Sequence, residues 1–445
     1  MDNKEIRITE LGEDGFRFRL AEECPEPERF LICFYDMKAV KYRKVEIRKF
    51  KMEAGRSCLQ NEGAFYREYS VKVKQENYAR EVLRLTGEYS RYIRLKLDGD
   101  DGELAKVLTG YPAELDEVHY ESLEKQEKLW AGIESMGNNR KASVSDVPEK
   151  KNVLSCVEYA LELNHATAYD QYLQQPFTDF LTSWQEQNPL SHTSLFQLLE
   201  GKIPDRLYVG NQFCHKLFPS EAQLFSIMDK MYSEGLRITL AFSYIREFML
   251  PSVGKLLEKV DNWCCVHGVN VEILVNDWAM AEMLCGKTGR LIPVLGNLLN
   301  KRRKDPRMSY KSGNISLFRQ NSLNAGFYRD FLEQELDIRR YEWESCGYPQ
   351  ELPPGKNSLH LPFYQTNTSQ YCPLYALCTT GDRGTQQLAE NCPKFCEKYA
   401  LLYPEHLHIT GRYNSLFGVD KELLEAPEMW KKVKGVKPDR IVISA

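Results

Sequence analysis

From residue 4 to residue 50 the chain alternates apolar and polar positions in short runs, EIRITEL, GFRFRL, FLICFYD and YRKVEIRKF, broken by Glu13-Asp14-Gly15 and by Pro25 and Pro27. Alternation with period two between turn residues predicts half-buried β-strands. ENYAREVLRLTG, 77–88, has helical spacing closed by Gly87, and RYIRLKL, 91–97, returns to a strand pattern. Together these predict a small β-rich α+β domain over residues 1–136, an accessory domain suited to a protein or peptide partner.

GNNRKASVSDVPEKKN, 137–152, is polar, carries a proline and is almost free of large apolar residues, so it reads as a linker. LSCVEYALELNHATAYDQYLQQ (154–175) and FTDFLTSWQEQN (177–188) place apolar residues at helical intervals, a helical connector over 153–200. From 205 the pattern changes to a repeated beat. DRLYVGN is a short apolar run followed by a helix that Ser220 and Gln223 start as a capping box and Gly235 ends. RITLAFS is the next strand, LPSVGKLLEKVDNWCCVHG a helix closed by Gly268, and VEILVND the third strand. LIPVLGN, DIRRYEWES, SLHLPFYQ, HLHITGR and RIVIS continue the beat to eight candidate strands. The fold class is α/β, a (β/α)8 TIM-barrel-like C-terminal domain over 201–445 preceded by the small β-rich α+β domain. An open doubly wound sheet has the same alternation.

Composition narrows the class. In 445 residues, 42% are apolar and 27% charged, with a formal net charge of −4, which gives no global basic field for nucleic acid. The N-terminus lacks the apolar core of a secretion signal, and nowhere do eighteen apolar residues run together, so a soluble cytoplasmic protein without membrane contact is expected. The acidic stretch Asp98 to Glu103 lacks the sixth-position Gly of a calcium loop and reads as a solvated turn.

In a barrel of this type, chemistry belongs at the C-terminal ends of the strands. Asn211, Asn276, Asp277, Asn297, Gln365, Arg412 and Asn414 fall there, with Glu342 and Glu344 on the fifth candidate strand. Asn211, Asn276, Asp277, Arg412 and Asn414 are candidates to hold a polar substrate. Asp277 is the candidate general base, although an acid after a strand is equally a helix N-cap. NKRRKDPR, 300–307, concentrates five cations and makes Arg307 a candidate contact for phosphate, as an RNA substrate would need. His406 and His408 lie two apart on one strand face and read as packing or surface residues before ligands.

Thirteen cysteines are present, and four stand apart from apolar runs. Cys372, Cys378, Cys392 and Cys396 follow C-x5-C-x13-C-x3-C in a polar, Gly-containing segment, where thiols gain little from burial but can converge on a metal. Structural zinc favours shorter gaps than that between Cys372 and Cys378, whereas an iron–sulfur cube has a larger frame, and Cys-Pro recurs around such clusters. Both a 4Fe–4S cluster and zinc stay open on spacing alone.

LYVGN, ILVNDWAMAEML, VLGNLLNKRRKDPR, the four-cysteine segment and HITGRYNSLF, in this order, resemble the collagenase-like peptidase family, peptidase family U32. The resemblance covers about residues 205–445, and the first 200 residues carry none of it. It implies a TIM-barrel-like fold and a 4Fe–4S cluster on Cys372, Cys378, Cys392 and Cys396. It also implies oxygen-independent hydroxylation or modification of a polar substrate: an RNA base, a peptide or a small metabolite such as a ubiquinone precursor. No H-E-x-x-H or G-x-S-x-G motif supports hydrolysis. The alternatives are a non-catalytic binding protein stapled by its metal, and a true peptidase of that family.

Overall fold

The computed structural model describes residues 6–20, 26–36, 41–54, 67–97, 120–122, 157–188, 201–285, 289–302, 321–346, 350–381, 384–401, 409–420, 433–435 and 437–444, with Cys24, Ser191, Thr193 and Tyr348. The linker 137–152, the loop 98–103, Arg307, His406 and His408 lie outside the described residues. The described residues fall into two compact units, 6–97 and 120–444.

In the first unit, β1 (Arg7–Gly12), β2 (Gly15–Leu20), β3 (Phe30–Asp36), β4 (Lys41–Ile47), β5 (Phe50–Ala54) and β6 (Arg67–Val73) precede α1 (Glu76–Leu97). They form an antiparallel sheet in the order β1-β2-β6-β5 and a β3–β4 hairpin. Alternation does what it predicts: Phe16, Phe18, Ile32, Phe34 and Val71 turn inward, with Tyr78 and Val82 of α1 packed against them. The helix does not end at Gly87, and 91–97 is its continuation rather than a strand. Gly87 is exposed, and Arg84 bonds Glu81 at 2.8 Å in the turn before it and Glu88 at 2.7 Å across it, which fastens neighbouring turns. The glycine weakens the helix by about 1 kcal/mol without stopping it.

The second unit begins earlier than the sequence suggests. Its chain runs β7 (Tyr120–Ser122), β8 (Glu158–Leu163), α2 (Ala166–Gln174), α3 (Phe177–Gln187), β9 (Arg206–Gly210), α4 (Glu221–Ser233), β10 (Arg237–Ala241), α5 (Leu250–His267) and β11 (Val271–Val275). It continues with α6 (Trp278–Leu284), β12 (Leu291–Leu295), α7 (Gly326–Leu336), β13 (Arg340–Glu344), β14 (Gln350–Leu352), β15 (Lys356–Leu361) and β16 (Phe363–Thr368). α8 (Pro373–Thr380), β17 (Tyr399–Leu401), β18 (Ile409–Arg412), β19 (Ser415–Val419), β20 (Val433–Gly435) and β21 (Arg440–Ser444) complete it.

β8, β9, β10, β11, β12, β13, β15 and β21 form a closed barrel, every neighbouring pair parallel. This is a (β/α)8 barrel. Seven of its strands fall on the expected runs, and the eighth does not. Glu158–Leu163, read as helix from its spacing, is the strand that closes the barrel between β21 and β9, so the barrel starts before residue 201. A strand buried on both faces is a continuous apolar run, and EYALEL satisfies helical spacing equally well. The described part of HLHITGR, β18, belongs instead to an antiparallel sheet in the order β16-β19-β18-β17-β7, and SLHLPFYQ is divided between β15 and β16. This sheet and α8 are inserted between the last two barrel strands. β7, expected within the first domain, is its edge.

Leu161, Val209, Leu240, Ile273, Trp343 and Ile443 face the helices, while Ala160, Tyr208, Ala241, Leu274, Val294 and Val442 fill the barrel interior. Ser220 caps α4 by accepting from the Gln223 amide at 3.3 Å, while the Gln223 side chain reaches Asp170. Gly268 closes α5 in the left-handed conformation. Among the described residues no helix is long and apolar enough to cross a membrane.

Candidate functional site

At the base of the barrel the first residues of several strands form a charged layer: Glu158, Arg206, Arg340 and Arg440, with Glu272. At the opposite end, where the strands finish, a cavity is lined by Glu162, Asn297, Glu344, His360, Arg412 and Ser444 among its polar groups, and by Phe213, Phe363, Tyr413 and Phe417 on its apolar side. Charged groups inside an apolar barrel are costly unless paired. Here they are paired. Glu162 accepts from Ser444 Oγ at 2.6 Å and from Gln212 Nε2 at 3.4 Å. Glu344 accepts from the Gln365 amide at 2.9 Å and faces Arg302 at 3.6 Å.

Below the cavity runs a buried chain. Arg440 Nη1 donates to the Tyr208 hydroxyl at 2.8 Å, the hydroxyl donates to Glu342 Oε1 at 3.1 Å, and Glu342 Oε2 lies 2.7 Å from His360 Nε2. Burial pulls the imidazole pKa down, but the Glu342 hydrogen bond and charge, with the charges of Glu162 and Glu344, outweigh it and hold the pKa above the ordinary 6.5. Tyr208 packs edge-on against the ring with centroids 5.5 Å apart. A raised folded-state pKa gives stability that is complete below pH 6.5 and is lost as pH rises through the folded value. The His360 resonance in an NMR titration should therefore have its midpoint above 6.5, and in Glu342→Gln, where burial remains but the partner charge is gone, the midpoint should fall. A wild-type midpoint at or below 6.5 would contradict this.

Of the strand-end residues expected from the sequence, Asn297, Glu344 and Arg412 line this cavity. Asn211, Asn276 and Asp277 hold loops. Asn211 Oδ1 accepts from the amides of Phe213 and Cys214, both at 2.9 Å, and its Nδ2 donates to the Asn164 carbonyl at 3.2 Å. Asn276 bridges Phe242 O and the Leu298 amide, and Gly296 makes room for it, since a Cβ there would stand 2.2 Å from Asn276 Oδ1. Asp277 caps α6, accepting from Met280 N at 2.9 Å and from Ile245 N at 2.5 Å, which is the N-cap alternative. Asn414 donates to Ser369 O at 2.7 Å and faces a second cavity beside α8. The unanticipated residues are Glu162, Asn164, Gln212, His360 and Ser444. For Glu162 and His360 the signal in the sequence is an ionisable side chain inside an apolar run, EYALEL and SLHL, which cannot stay buried without a partner.

The thiols lie on the other side of the aromatic wall. Cys372 is the N-cap of α8; its Sγ donates to Tyr413 O at 3.1 Å and accepts from Tyr375 N at 3.4 Å. Cys392 Sγ accepts from Lys394 N at 3.4 Å, and Cys396 is buried in the short turn Phe395–Glu397. Cys214 joins them from the loop after β9. Lys216 ties that loop to Glu390 O at 2.9 Å. Burial pushes the Cys214 thiol up to about 11 and the Cys372 thiol up to about 12, and it also raises Cys396. Each is raised further by its neighbours: Cys392 acts on Cys214, while Cys214 and Cys392 act on both Cys372 and Cys396.

Cys378 differs. Burial is the one cause raising its thiol. It sits in the last turn of α8 and packs against the same apolar cluster as Cys372. The shell around the thiols is apolar: Phe213, Leu374, Leu401, Tyr413 and Phe417, three of which also line the barrel cavity. Among the described residues no group of three or more His, Cys, Asp or Glu side chains is placed to hold a metal ion.

A (β/α)8 barrel with a polar mouth and a neighbouring group of four thiols defines the class. Comparison with protein families, with curated proteins and with solved structures finds no match to this chain.

Proposed function

We propose that the chain is an iron–sulfur protein of the peptidase family U32 kind, an oxygen-independent hydroxylation or modification factor that holds a 4Fe–4S cluster on Cys214, Cys372, Cys392 and Cys396. The observation that carries the reading is that Cys214, Cys372 and Cys396, drawn from two distant segments, pack in one apolar cluster whose aromatic residues form the wall of the barrel cavity, with Cys392 near enough for its charge to act on each. Thiols that are expensive to ionise in such a shell become thiolates only beside cations, as ligands do. When bound, such a cluster supplies one-electron transfer.

The chain's own residues supply the rest. The mouth holds a polar substrate, His360 keeps a proton on an imidazole fixed by Glu342, and Phe213, Tyr413 and Phe417 keep water from the space between the two sites. Thiolate ligation of this kind suits the reducing cytoplasm.

Iron, sulfide and zinc content with a visible spectrum, measured on protein purified without oxygen, tests the reading. About four irons and four sulfides and a brown colour that bleaches with dithionite are expected. One tightly held zinc and no iron would overturn the redox reading and leave a metal-stapled binding protein or a hydrolase.

A further inference from the structure

The polar side of the mouth has a direction. A carboxylate only accepts hydrogen bonds, so Glu162 obliges Gln212 to turn its Nε2 toward it, 3.4 Å away. Gln212 Oε1 then faces outward and takes the Asn297 Nδ2 donor at 3.1 Å. Ser444 occupies the other Glu162 oxygen at 2.6 Å, so the carboxylate cannot swing to reverse the order. The chain of three side chains therefore leaves Asn297 Oδ1 as an acceptor in the cavity lining. Among the described residues that oxygen accepts no hydrogen bond, although Asn297 is only 3% exposed. A buried acceptor without a donor costs about 1–3 kcal/mol, which a ligand donor would remove.

A second group completes the recognition. The guanidinium of Arg412, 5.2 Å from the Tyr413 ring centroid, lines the same cavity and has only donors to offer. One acceptor and one cationic donor in a cavity with phenylalanine and tyrosine walls match a flat group carrying an N–H beside a C=O. We infer that the barrel mouth recognises a carboxamide or lactam edge, its N–H on Asn297 Oδ1 and its carbonyl oxygen on Arg412. Gln212 is a positioning residue in this arrangement, since its amide nitrogen is given to Glu162 and its oxygen takes Asn297 Nδ2 and so fixes the orientation of Asn297. The inference rests on the mouth being the substrate site and does not require the cluster.

Binding of 2-pyridone, a planar lactam, and of N-methyl-2-pyridone, which lacks the N–H, to the full-length protein can be compared by ligand-observed NMR. The lactam should bind at least about tenfold more tightly, because a site built around a hydrogen bond rejects an analogue that leaves its polar group unpaired. Asn297→Leu should abolish the difference, and Gln212→Leu should shrink it while Asn297 stays in place. Retention of the wild-type circular dichroism spectrum shows that these variants fold. Equal binding of the two probes, binding of neither, or a difference that survives Asn297→Leu would overturn the assignment. Lactam discrimination by protein that proves to hold zinc would leave this inference standing while the redox reading fails. Four irons without discrimination would do the reverse.

Discussion

Cys214→Ser should bring the iron and sulfide content of anaerobically purified protein close to zero and remove its visible absorption, whereas Cys378→Ser should leave both near the wild-type level. The reason is placement. Cys214, Cys372 and Cys396 are each raised by the charge of Cys392, while Cys378 lies in the last turn of α8 with burial as the one cause raising it. Serine keeps the size of the thiol but ligates iron poorly, so a lost ligand and not a lost fold is being read. Loss of the cluster in Cys378→Ser with retention in Cys214→Ser would restore the contiguous ligand set that the sequence suggests. Wild-type protein without iron would instead remove the cluster itself.

Arg440→Met should destabilise the barrel by about 3–5 kcal/mol at neutral pH, the cost of leaving buried carboxylates uncompensated. Arg440 is 1% exposed; its Nε donates to Glu158 at 2.7 Å, and its Nη atoms grip Glu272 at 2.7 and 2.9 Å. Burial favours the neutral acid at Glu272, yet Arg440, Arg206 and Arg340 hold its pKa down to about 2 from the ordinary 4.5. A depressed carboxylate gives stability that is present above pH 4.5 and is lost as pH falls toward 2. The penalty of Arg440→Met should therefore shrink on acidification, because Glu272 then protonates more readily in the variant. Urea unfolding midpoints at pH 7 and pH 4 measure both effects. A loss below about 1 kcal/mol at pH 7 would show that Arg206, 2.8 Å from Glu158 and 3.2 Å from Glu272, suffices by itself.

The same residues show why part of the site was legible and part was not. Arg412 could be picked from its place after an apolar run, and the clustering of Cys372, Cys378, Cys392 and Cys396 points to a metal, three of them kept in the proposed ligand set. Asn211, Asn276 and Asp277 were picked by the same strand-end rule but serve the backbone, because short polar side chains after a strand satisfy amides of the turn as readily as they meet a ligand. Cys214 gave no sign: a lone cysteine in NQFCHKLF looks like a small apolar residue. His360 sits in a run that reads only as a strand, and Glu162 in one that reads as a helix.

By itself the sequence determined what depends on neighbours along the chain: the alternating strands of the first unit, seven of the eight barrel strands, and the caps at Ser220 and Gly268. These follow from side-chain period and from backbone groups that must be satisfied within a few residues. The tertiary structure decided what depends on closure. Glu158–Leu163 becomes a strand because a barrel edge left between β21 and β9 would expose unpaired amides and carbonyls. That same closure brings Gln212 to Glu162 and Asn297, His360 to Glu342, and the segment after β15 back over the loop after β9, so that Cys214 packs in one cluster with Cys372 and Cys396. Contacts between residues so far apart in the chain leave no period in it, because they are fixed by how the sheet closes and not by any local preference.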